Sequence, residues 1–280
     1  MKIFKTISHT ILILILTFNF FLAKPRLVFA VDNTHSLLLN GTNQYVKNES
    51  TDLNLTNGWT WEAAFYLSSF GGINARRSIM GTQITSYTDS YLVDLRILGS
   101  TVDVDGTEQA LNVNIYNGAD DFFDTSFIPN LNTWYRVALV KIADNDWKLY
   151  VLDGVSTSLF TYSVDKPVNM TNNLGVSMGV RLVPSEVLTL FHGFLDEGRV
   201  WDDVRTQAEI EANAFCQLTG SEANLKAYWK LNNDYEDSTS GNYDLTAVNS
   251  PTFSSTNTPF ANNCSAGGAA GSPVEDLFID

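Results

Sequence analysis

The chain has 280 residues, 44% hydrophobic and 17% charged, which supplies enough apolar material for a substantial core and excludes a wholly disordered protein. Its 31 acidic residues outnumber its 17 basic residues, for a formal net charge of -14. A surface of that sign repels polyanions, so nucleic acid is excluded as an expected partner. The aromatic content of 12% favours strands and an all-β protein.

Residues 1–30 have the organisation of a secretory signal peptide. Lys2 and Lys5 form a basic start, residues 11–23 form an apolar run, and residues 28–30 are small or apolar at a cleavage position. An uncleaved anchor is the alternative, but the run is shorter than the roughly 20 residues that a spanning helix needs. We expect an exported chain that is secreted or held at the cell surface, without membrane insertion after cleavage.

Most of the remaining chain alternates between apolar and polar residues, which is typical of strands that bury one face. In one such segment Trp59, Trp61 and Phe65 share a face, and Thr60 and Glu62 lie on the other. Pairs of turn residues, such as Asn-Gly and Asp-Gly, separate the alternating segments. The spacing predicts roughly a dozen strands in an antiparallel sandwich.

One segment predicts a helix. Thr206 and Glu209 form a capping box, in which each side chain satisfies a backbone N–H that the first turn would leave unpaired. The apolar residues that follow recur on one face: Ile210, Ala214 and Phe215. We therefore expect a single short helix near residues 207–215 that ends near Cys216.

The remainder shows neither a Pro-rich linker nor an internal repeat, so residues 31–265 are predicted to form one domain. Residues 266–280 begin with a Gly- and Ala-rich stretch and are predicted to be a flexible tail or linker. In an exported protein Cys216 and Cys264 are expected to form a disulfide, which the chain-entropy model values on the order of 4 kcal/mol. Two buried free thiols are the alternative.

Five groups of residues occur in an order that resembles a known family. They are the segments 36–46, 59–65, 134–154, 191–210 and 227–242. Together they resemble the laminin-G-like jelly rolls of the concanavalin A-like lectin and glucanase superfamily. The resemblance implies an antiparallel two-sheet jelly-roll sandwich, a scaffold that carries lectins, adhesion modules and hydrolases. Gly198 stands where the family has an apolar residue, which predicts weaker local packing and a bulge.

Catalysis is not expected. Glycoside hydrolysis needs two carboxylates across a sugar-binding cleft. Hydrolases of this superfamily carry Glu, Asp and Glu at alternate positions of one strand, and the sequence contains no such run. His35 and His192 have no Cys or His neighbours at metal-ligand spacing. The chain is therefore predicted to be a non-catalytic recognition module.

The resemblance also implies a structural calcium ion at Asp196, because an Asp at the matching position of related glucanases and lectin-like members holds calcium together with backbone oxygens. Two alternatives remain open: Glu197 and Arg199 form an ion pair on this strand, and Asp196 caps a turn. The acid-rich loops at 120–121, 144–146 and 232–237 are interpreted as solvated, because they lack the Gly and terminal Glu of a helix-loop-helix calcium site.

Sugar recognition requires exposed aromatic rings beside planar polar groups, since a sugar stacks its apolar face on a ring and bonds its hydroxyls to amides and carboxylates. The candidates, on the concave sheet or its rim, are Tyr87, Tyr91, Asn112, Asn114, Tyr116, Phe122 and Phe123. The loop at 120–127, which contains the last two, is favoured because adjacent aromatics flanked by acids cannot both point inward on a strand. Carbohydrate binding is the leading hypothesis; an adhesive domain that binds a surface protein and a divergent glycoside hydrolase are the alternatives.

Overall fold

The computed structural model describes residues 33–48, 53–55, 58–72, 74–83, 92–99, 106–163, 168, 175–183, 186–259 and 262–263. The predicted signal peptide, the predicted tail, Tyr87, Tyr91 and Cys264 lie outside these residues. The described segments fold as strands with one helix.

In chain order the elements are β1 (Ser36–Asn40), β2 (Tyr45–Lys47), β3 (Trp59–Leu67), β4 (Arg76–Thr82), β5 (Leu92–Leu98), β6 (Leu111–Tyr116), β7 (Asp120–Asp124), β8 (Trp134–Ala143), β9 (Asp146–Leu152), β10 (Thr157–Tyr162), β11 (Val176–Met178), β12 (Arg181–Val183), β13 (Glu186–Leu188), β14 (His192–Trp201), α1 (Gln207–Asn213), β15 (Cys216–Gln217), β16 (Leu225–Trp229), β17 (Thr246–Val248), β18 (Thr252–Ser254) and β19 (Asn262–Asn263). Many of these strands are two or three residues long, too short to show an alternating pattern, which explains why the sequence predicts fewer of them.

Two large antiparallel sheets form the sandwich. Sheet A has the order β10-β9-β8-β3-β14-β1-β18, with β16 also paired to β14, and sheet B has the order β17-β2-β11-β4-β5-β6-β7. Two small pairs complete the described structure, β12 with β13 and a parallel pair of β15 with β19. The predicted all-β, antiparallel jelly-roll sandwich with one short helix is confirmed.

The main core lies between the two sheets and is built from the inward residues of the alternating strands. Trp59 and Trp61 of β3 lie 5.1 Å apart between ring centroids, and Trp147 of β9 meets Trp59 edge-on at 5.4 Å. Thr60, Glu62 and Ala64, on the other side of β3, are buried as well, and Tyr66 is half-buried. The outer face of sheet A is therefore covered over most of β3, although an alternating strand by itself predicts a solvated face.

The helix supplies that cover. The capping box of Thr206 and Glu209 is formed as predicted. Ile210 is fully buried in a small cluster on the outer face of sheet A, and Ala214 and Phe215 join the same cluster. The helix ends at Asn213, earlier than predicted, because the chain turns into β15.

In β15, Cys216 pairs with Asn262 of β19. The pairing brings the chain just before Cys264 alongside Cys216. Because Cys264 lies outside the described residues, the disulfide stays a prediction.

A bulge interrupts β14, as the glycine at position 198 predicts. Asp196 pairs with Ala64 and Arg199 with Glu62, so two residues of β14, Glu197 and Gly198, lie opposite one residue of β3. A Cβ atom at Gly198 would lie 2.7 Å from Met178 Sδ and 3.2 Å from a ring carbon of Trp229. The expectation of weaker packing is therefore wrong: glycine at this position lets the two sheets approach closely.

Candidate functional site

Four charged side chains are buried on the outer face of sheet A, under α1 and the residues that follow it. We call Glu62, Arg136, Glu197 and Arg199 the buried charge layer; none is more than 4% exposed. Three adjacent strands, β3, β8 and β14, supply them. The layer contains two acids and two bases, so its charges balance.

The contacts within this layer are short. Arg136 Nη2 lies 3.0 Å from Glu62 Oε2, and Arg199 Nη2 lies 2.7 Å from Glu197 Oε2. Trp201 Nε1 donates to Glu62 Oε1 at 2.6 Å, and the Tyr228 hydroxyl donates to Glu197 Oε2 at 2.7 Å. The predicted pairing of Glu197 with Arg199 is confirmed; the left-handed backbone of Glu197, with φ of 52°, accompanies the bulge that brings it into the layer.

The electrostatics of Glu62 indicate a structural role. Burial alone would raise the pKa of this carboxyl, but the guanidinium groups of Arg136 and Arg199, with two hydrogen bonds, hold the pKa below its ordinary value. The carboxylate is thus ionised, paired and enclosed. A fully paired charge under a helix contributes to the fold and offers little access to a ligand.

Asp196, the predicted calcium ligand, lies at the edge of this layer and is fully buried. Asn33 Nδ2 donates to Asp196 Oδ2 at 2.8 Å and to the Pro259 carbonyl at 3.1 Å. The amide oxygen of Asn33 is buried and has no hydrogen-bond partner among the described residues. Burial, followed by the charge of Glu197, raises the pKa of Asp196 well above its ordinary value.

These residues offer a carboxylate, an unpartnered amide oxygen and a backbone carbonyl, which are the oxygen ligands that a hard cation prefers; the carboxylate and the carbonyl both bond to the Asn33 amide nitrogen. In the described part of the chain, His, Cys, Asp and Glu side chains form no cluster of three or more that suits a metal ion. Asp196, Asn33 and Pro259 are accordingly the residues that would hold calcium, which stays a prediction. The bound ion would neutralise the buried carboxylate and join both ends of the described domain.

The outer face of sheet B differs, because it contains an open cleft of about 450 Å³. We call this the sheet B cleft. The functional side chains that line it are Arg76, Arg77, Arg96, Asn114, Asp120, Phe122 and Arg181. They come from β4, β5, β6, β7 and β12, so the floor of the cleft consists of neighbouring strands. Its volume lies within the range of roughly 300–1,000 Å³ typical of small-molecule sites.

Arg96 forms the floor of the cleft. Its side chain is fully buried, its Nε donates to Asn112 Oδ1 at 3.1 Å, and its guanidinium lies 5.4 Å from the centroid of the Phe122 ring. The hydrogen bond and the cation–π contact both fix the orientation of the guanidinium. Phe122 is only half-buried and presents its ring to the cleft.

A buried acid lies beside the arginines. Asp94 Oδ2 is 3.8 Å from Arg96 Nη1, and Ser78 Oγ donates to Asp94 Oδ1 at 2.5 Å. Burial raises the pKa of Asp94 above its ordinary value, although the positive charges of Arg96, Arg181 and Arg76 lower it. Asp94 therefore compensates part of the positive charge at the cleft.

Several polar atoms around the cleft are buried without a hydrogen-bond partner in the described structure: Arg77 Nε, Arg181 Nε and Asn114 Oδ1. Asn114 Nδ2 donates to Asp120 Oδ1 at 3.0 Å, so only its oxygen is unused. Buried polar groups are normally paired, and exceptions call for an explanation such as a bound partner. The cleft thus offers both donors and an acceptor.

The structure brings together some of the predicted sugar-binding residues and separates others. Asn114 and Phe122 line the cleft. Asn112 lies beneath it and orients Arg96, and Tyr116 is half-buried against the core at the end of β6. Phe123 is a correction: it is 1% exposed, lies in the core and stacks on Tyr162 at 5.0 Å, because alternation along β7 sends its ring to the face opposite Phe122.

The arginines of the cleft were not among the residues predicted from the sequence. Arg76, Arg96 and Arg181 lie far apart in the sequence, on strands whose pairing determines that they meet. The one available signal was the mixture of arginine with polar residues on the alternating face of β5, where Asp94 and Arg96 lie. That signal does not reveal which other strands contribute arginines to the cleft.

A second aromatic surface lies on sheet A, next to the buried charge layer along the same strands. Tyr66, Trp134 and Phe194 are half-buried neighbours on β3, β8 and β14, with ring centroids 5.4 Å to 6.4 Å apart. Trp134 Nε1 donates to Asn257 Oδ1 at 2.9 Å. This aromatic row has rings but no clustered charge, which distinguishes it from the sheet B cleft.

A family model described as the concanavalin A-like lectin/glucanases superfamily matches residues 40–211. The chain belongs to this superfamily. Among solved structures that share the superfamily fold, a protein of Bacteroides ovatus ATCC 8483, provisionally described as carbohydrate binding, is 20% identical with a TM-score of 0.61. The match covers 82% of this chain and 62% of that protein. A heptameric SAP-like pentraxin of Limulus polyphemus is 16% identical with a TM-score of 0.56, over 84% of this chain and 100% of the pentraxin.

Identities this low show a shared fold and leave the function to the site residues. The chain spans less than two thirds of the length of the Bacteroides protein. A comparison of this chain with curated proteins found no match. Across the described residues, no helix is both long and apolar enough to cross a membrane.

Proposed function

We propose that the chain is an exported, non-catalytic carbohydrate-binding module whose ligand lies in the sheet B cleft. One observation carries the proposal: the half-buried ring of Phe122 faces an open cleft beside Asn114 and Asp120. An aromatic ring stacks on the apolar face of a sugar, and amide and carboxylate groups bond its hydroxyls. The cleft supplies all three groups on adjacent strands.

The carboxylates of the cleft support binding rather than hydrolysis. Of the described residues that line it, Asp120 alone carries a carboxylate. Asp94 is buried beside the arginines and does not line the cleft. Glycoside hydrolysis uses two carboxylates that flank the scissile bond, so this arrangement favours recognition without cleavage.

The superfamily and the Bacteroides protein are consistent with a glycan ligand, since the scaffold carries lectins as well as glucanases. The adhesive alternative has less support. A protein-binding surface usually contains a contiguous exposed apolar patch. Among the described residues, the exposed large apolar side chains come from three regions of the sequence: Ile128 and Leu131, Val155 and Leu159, and Val204.

Two matched aromatic substitutions test the proposal. A panel of neutral and acidic oligosaccharides is screened first, and the tightest ligand is then titrated by calorimetry into the wild type, Phe122→Ala and Trp134→Ala. We expect Phe122→Ala to weaken binding about tenfold or more, because stacking and apolar contact are lost. Trp134→Ala, in the aromatic row of sheet A, should bind like the wild type.

The proposal fails if no oligosaccharide of the panel binds. Loss of binding in Trp134→Ala with normal binding in Phe122→Ala would place the ligand on sheet A instead. Release of reducing sugar from any bound oligosaccharide would contradict the non-catalytic assignment.

A further inference from the structure

We infer that the sheet B cleft selects an anionic sugar, one that bears a carboxylate or a sulfate group. The inference rests on the proposed function and names the ligand class of the same site. It follows from the arginines that line the cleft and from the chemistry of the guanidinium group.

Arginine is concentrated at the cleft, although the chain as a whole is acidic. The sequence contains eight arginines, and four of them, Arg76, Arg77, Arg96 and Arg181, line this one cavity. The chain as a whole has a net charge of -14. Such clustering in an acidic protein costs mutual repulsion, which an anionic ligand would relieve.

Two acids of the described structure lie near these arginines. Asp120 lines the cleft, and Asp94 lies beside Arg96 with Arg181 and Arg76 near enough to influence it. In the described part of the cleft, Asp120 is the one lining carboxylate beside four lining arginines.

The four arginines have different roles. Arg96 is fixed in the floor by Asn112 and Phe122. Arg77 Nη1 donates to the Leu190 carbonyl at 2.6 Å and thereby holds a wall of the cleft. Arg76 and Arg181 are half-exposed and line the cavity, so they are the guanidinium groups that a ligand can reach. A guanidinium binds a carboxylate or a sulfate through two parallel hydrogen bonds, which a hydroxyl cannot match.

The ring of Phe122 identifies the rest of the ligand as a sugar, because it provides a stacking surface beside the charged groups. The surrounding surface restricts how much negative charge the ligand carries. The net negative charge of the chain repels a long polyanion, whereas arginines line this cavity of about 450 Å³. An isolated or terminal acidic sugar therefore fits better than a densely charged chain.

Matched pairs of sugars test this inference by calorimetry. The pairs are sialyllactose with lactose, trigalacturonic acid with its methyl ester, and 6-sulfated with unsulfated N-acetyllactosamine. We expect the acidic member of at least one pair to bind at least tenfold more tightly than its neutral partner, since hydrogen bonds to charged groups are the stronger ones. The first two pairs report on carboxylates and the third on sulfate. Binding of the acidic member should weaken as NaCl is raised.

Variants assign the selectivity to the cleft. Arg181→Ala and Arg76→Gln should each weaken binding of the acidic sugar about tenfold or more and leave the neutral partner nearly unaffected. Arg181→Lys retains the charge without the planar fork and should restore only part of the affinity. Lys226→Gln, which removes one positive charge outside the cleft, should bind like the wild type; thermal melting confirms that each variant folds.

The outcomes separate the two proposals. Equal binding of acidic and neutral partners that depends on Phe122 overturns the anionic selectivity and leaves carbohydrate binding intact. Acidic selectivity that survives both arginine variants overturns the assignment to this cleft. Absence of binding to every member of the pairs and of the wider panel overturns carbohydrate binding itself.

Discussion

The outer faces of the two sheets carry polar layers of opposite character. On sheet A, Glu62 and Glu197 meet Arg136 and Arg199 at short distances under a helix, and the charges cancel. On sheet B, four arginines and Asp120 are among the described residues that line an open cavity. Both layers arise from polar residues on alternating strands. The covering by α1 encloses the layer on sheet A, whereas the layer on sheet B borders an open cavity.

The difference follows from the cost of burying charge. An enclosed charge must be paired by its neighbours, because water is not available to solvate it. A charge at an open cavity is solvated or paired by a ligand. We therefore expect substitutions in the buried charge layer to change stability and substitutions in the sheet B cleft to change binding.

The largest expected effect comes from Glu62→Gln. Removing this carboxylate leaves Arg136 and Arg199 enclosed without their shared partner, which should lower the free energy of unfolding by about 3–5 kcal/mol. Urea denaturation of the wild type and the variant measures the difference. Asp120→Asn, the same change in the sheet B cleft, serves as the control and should cost less than about 1 kcal/mol.

The sign of the pH dependence sharpens this test. The pKa of Glu62 in the folded protein lies below its ordinary value of 4.5, so the stabilisation is present above pH 4.5 and is lost as the pH falls through the folded pKa. The variant should lack this contribution to acid-induced unfolding. Equal stability of the wild type and Glu62→Gln would show that the layer is not a structural ion cluster.

A smaller effect is expected from calcium at the edge of the same layer. If Asp196, Asn33 and Pro259 hold the ion, calcium at a hundredfold excess over its dissociation constant should stabilise the protein by about 2.7 kcal/mol. The melting temperature is compared with calcium and with a chelator. Asp196→Asn retains similar hydrogen bonding but loses the charge, and its melting temperature should respond less to calcium; an unchanged melting temperature of the wild type would refute the site.

The smallest effect is expected from Asp94 under the cleft. Burial raises its pKa, so the folded state binds a proton more readily than the unfolded state does. Stability should therefore rise as the pH falls through the folded pKa towards 3.8, by at most about 1.4 kcal/mol per unit of raised pKa. Asp94→Asn should remove this rise, as measured by melting temperature between pH 4 and pH 7. A rise that persists in the variant would assign the effect to another group.

Much of the fold could be predicted because it depends on local patterns. Alternation identifies β3, β5 and β6, and the pair Thr206 and Glu209 identifies the start of α1. The order of weak motifs indicates the superfamily. The sequence does not predict the strands of two or three residues or the end of the helix, because tertiary pairing rather than local sequence determines them.

The site could be predicted only in part. Sequence reasoning selects the adjacent rings at 122 and 123 but does not tell which one faces the cleft, because the register of β7 against β6 decides it. The arginines meet through pairing of distant strands, and the positive φ of Glu197 belongs to a bulge that the sequence marks only by Gly198. Long-range pairing, which no local pattern encodes, therefore assembles both polar layers.

The floor of the cleft consists of hydrogen-bonded neighbours in one sheet, from β4 through β7. A binding site on such a sheet is preorganised before its ligand binds, so the protein loses little conformational entropy on association. Altering side chains that project from this base, while leaving the ladder of strands intact, is thus a practical way to retarget the domain to other ligands.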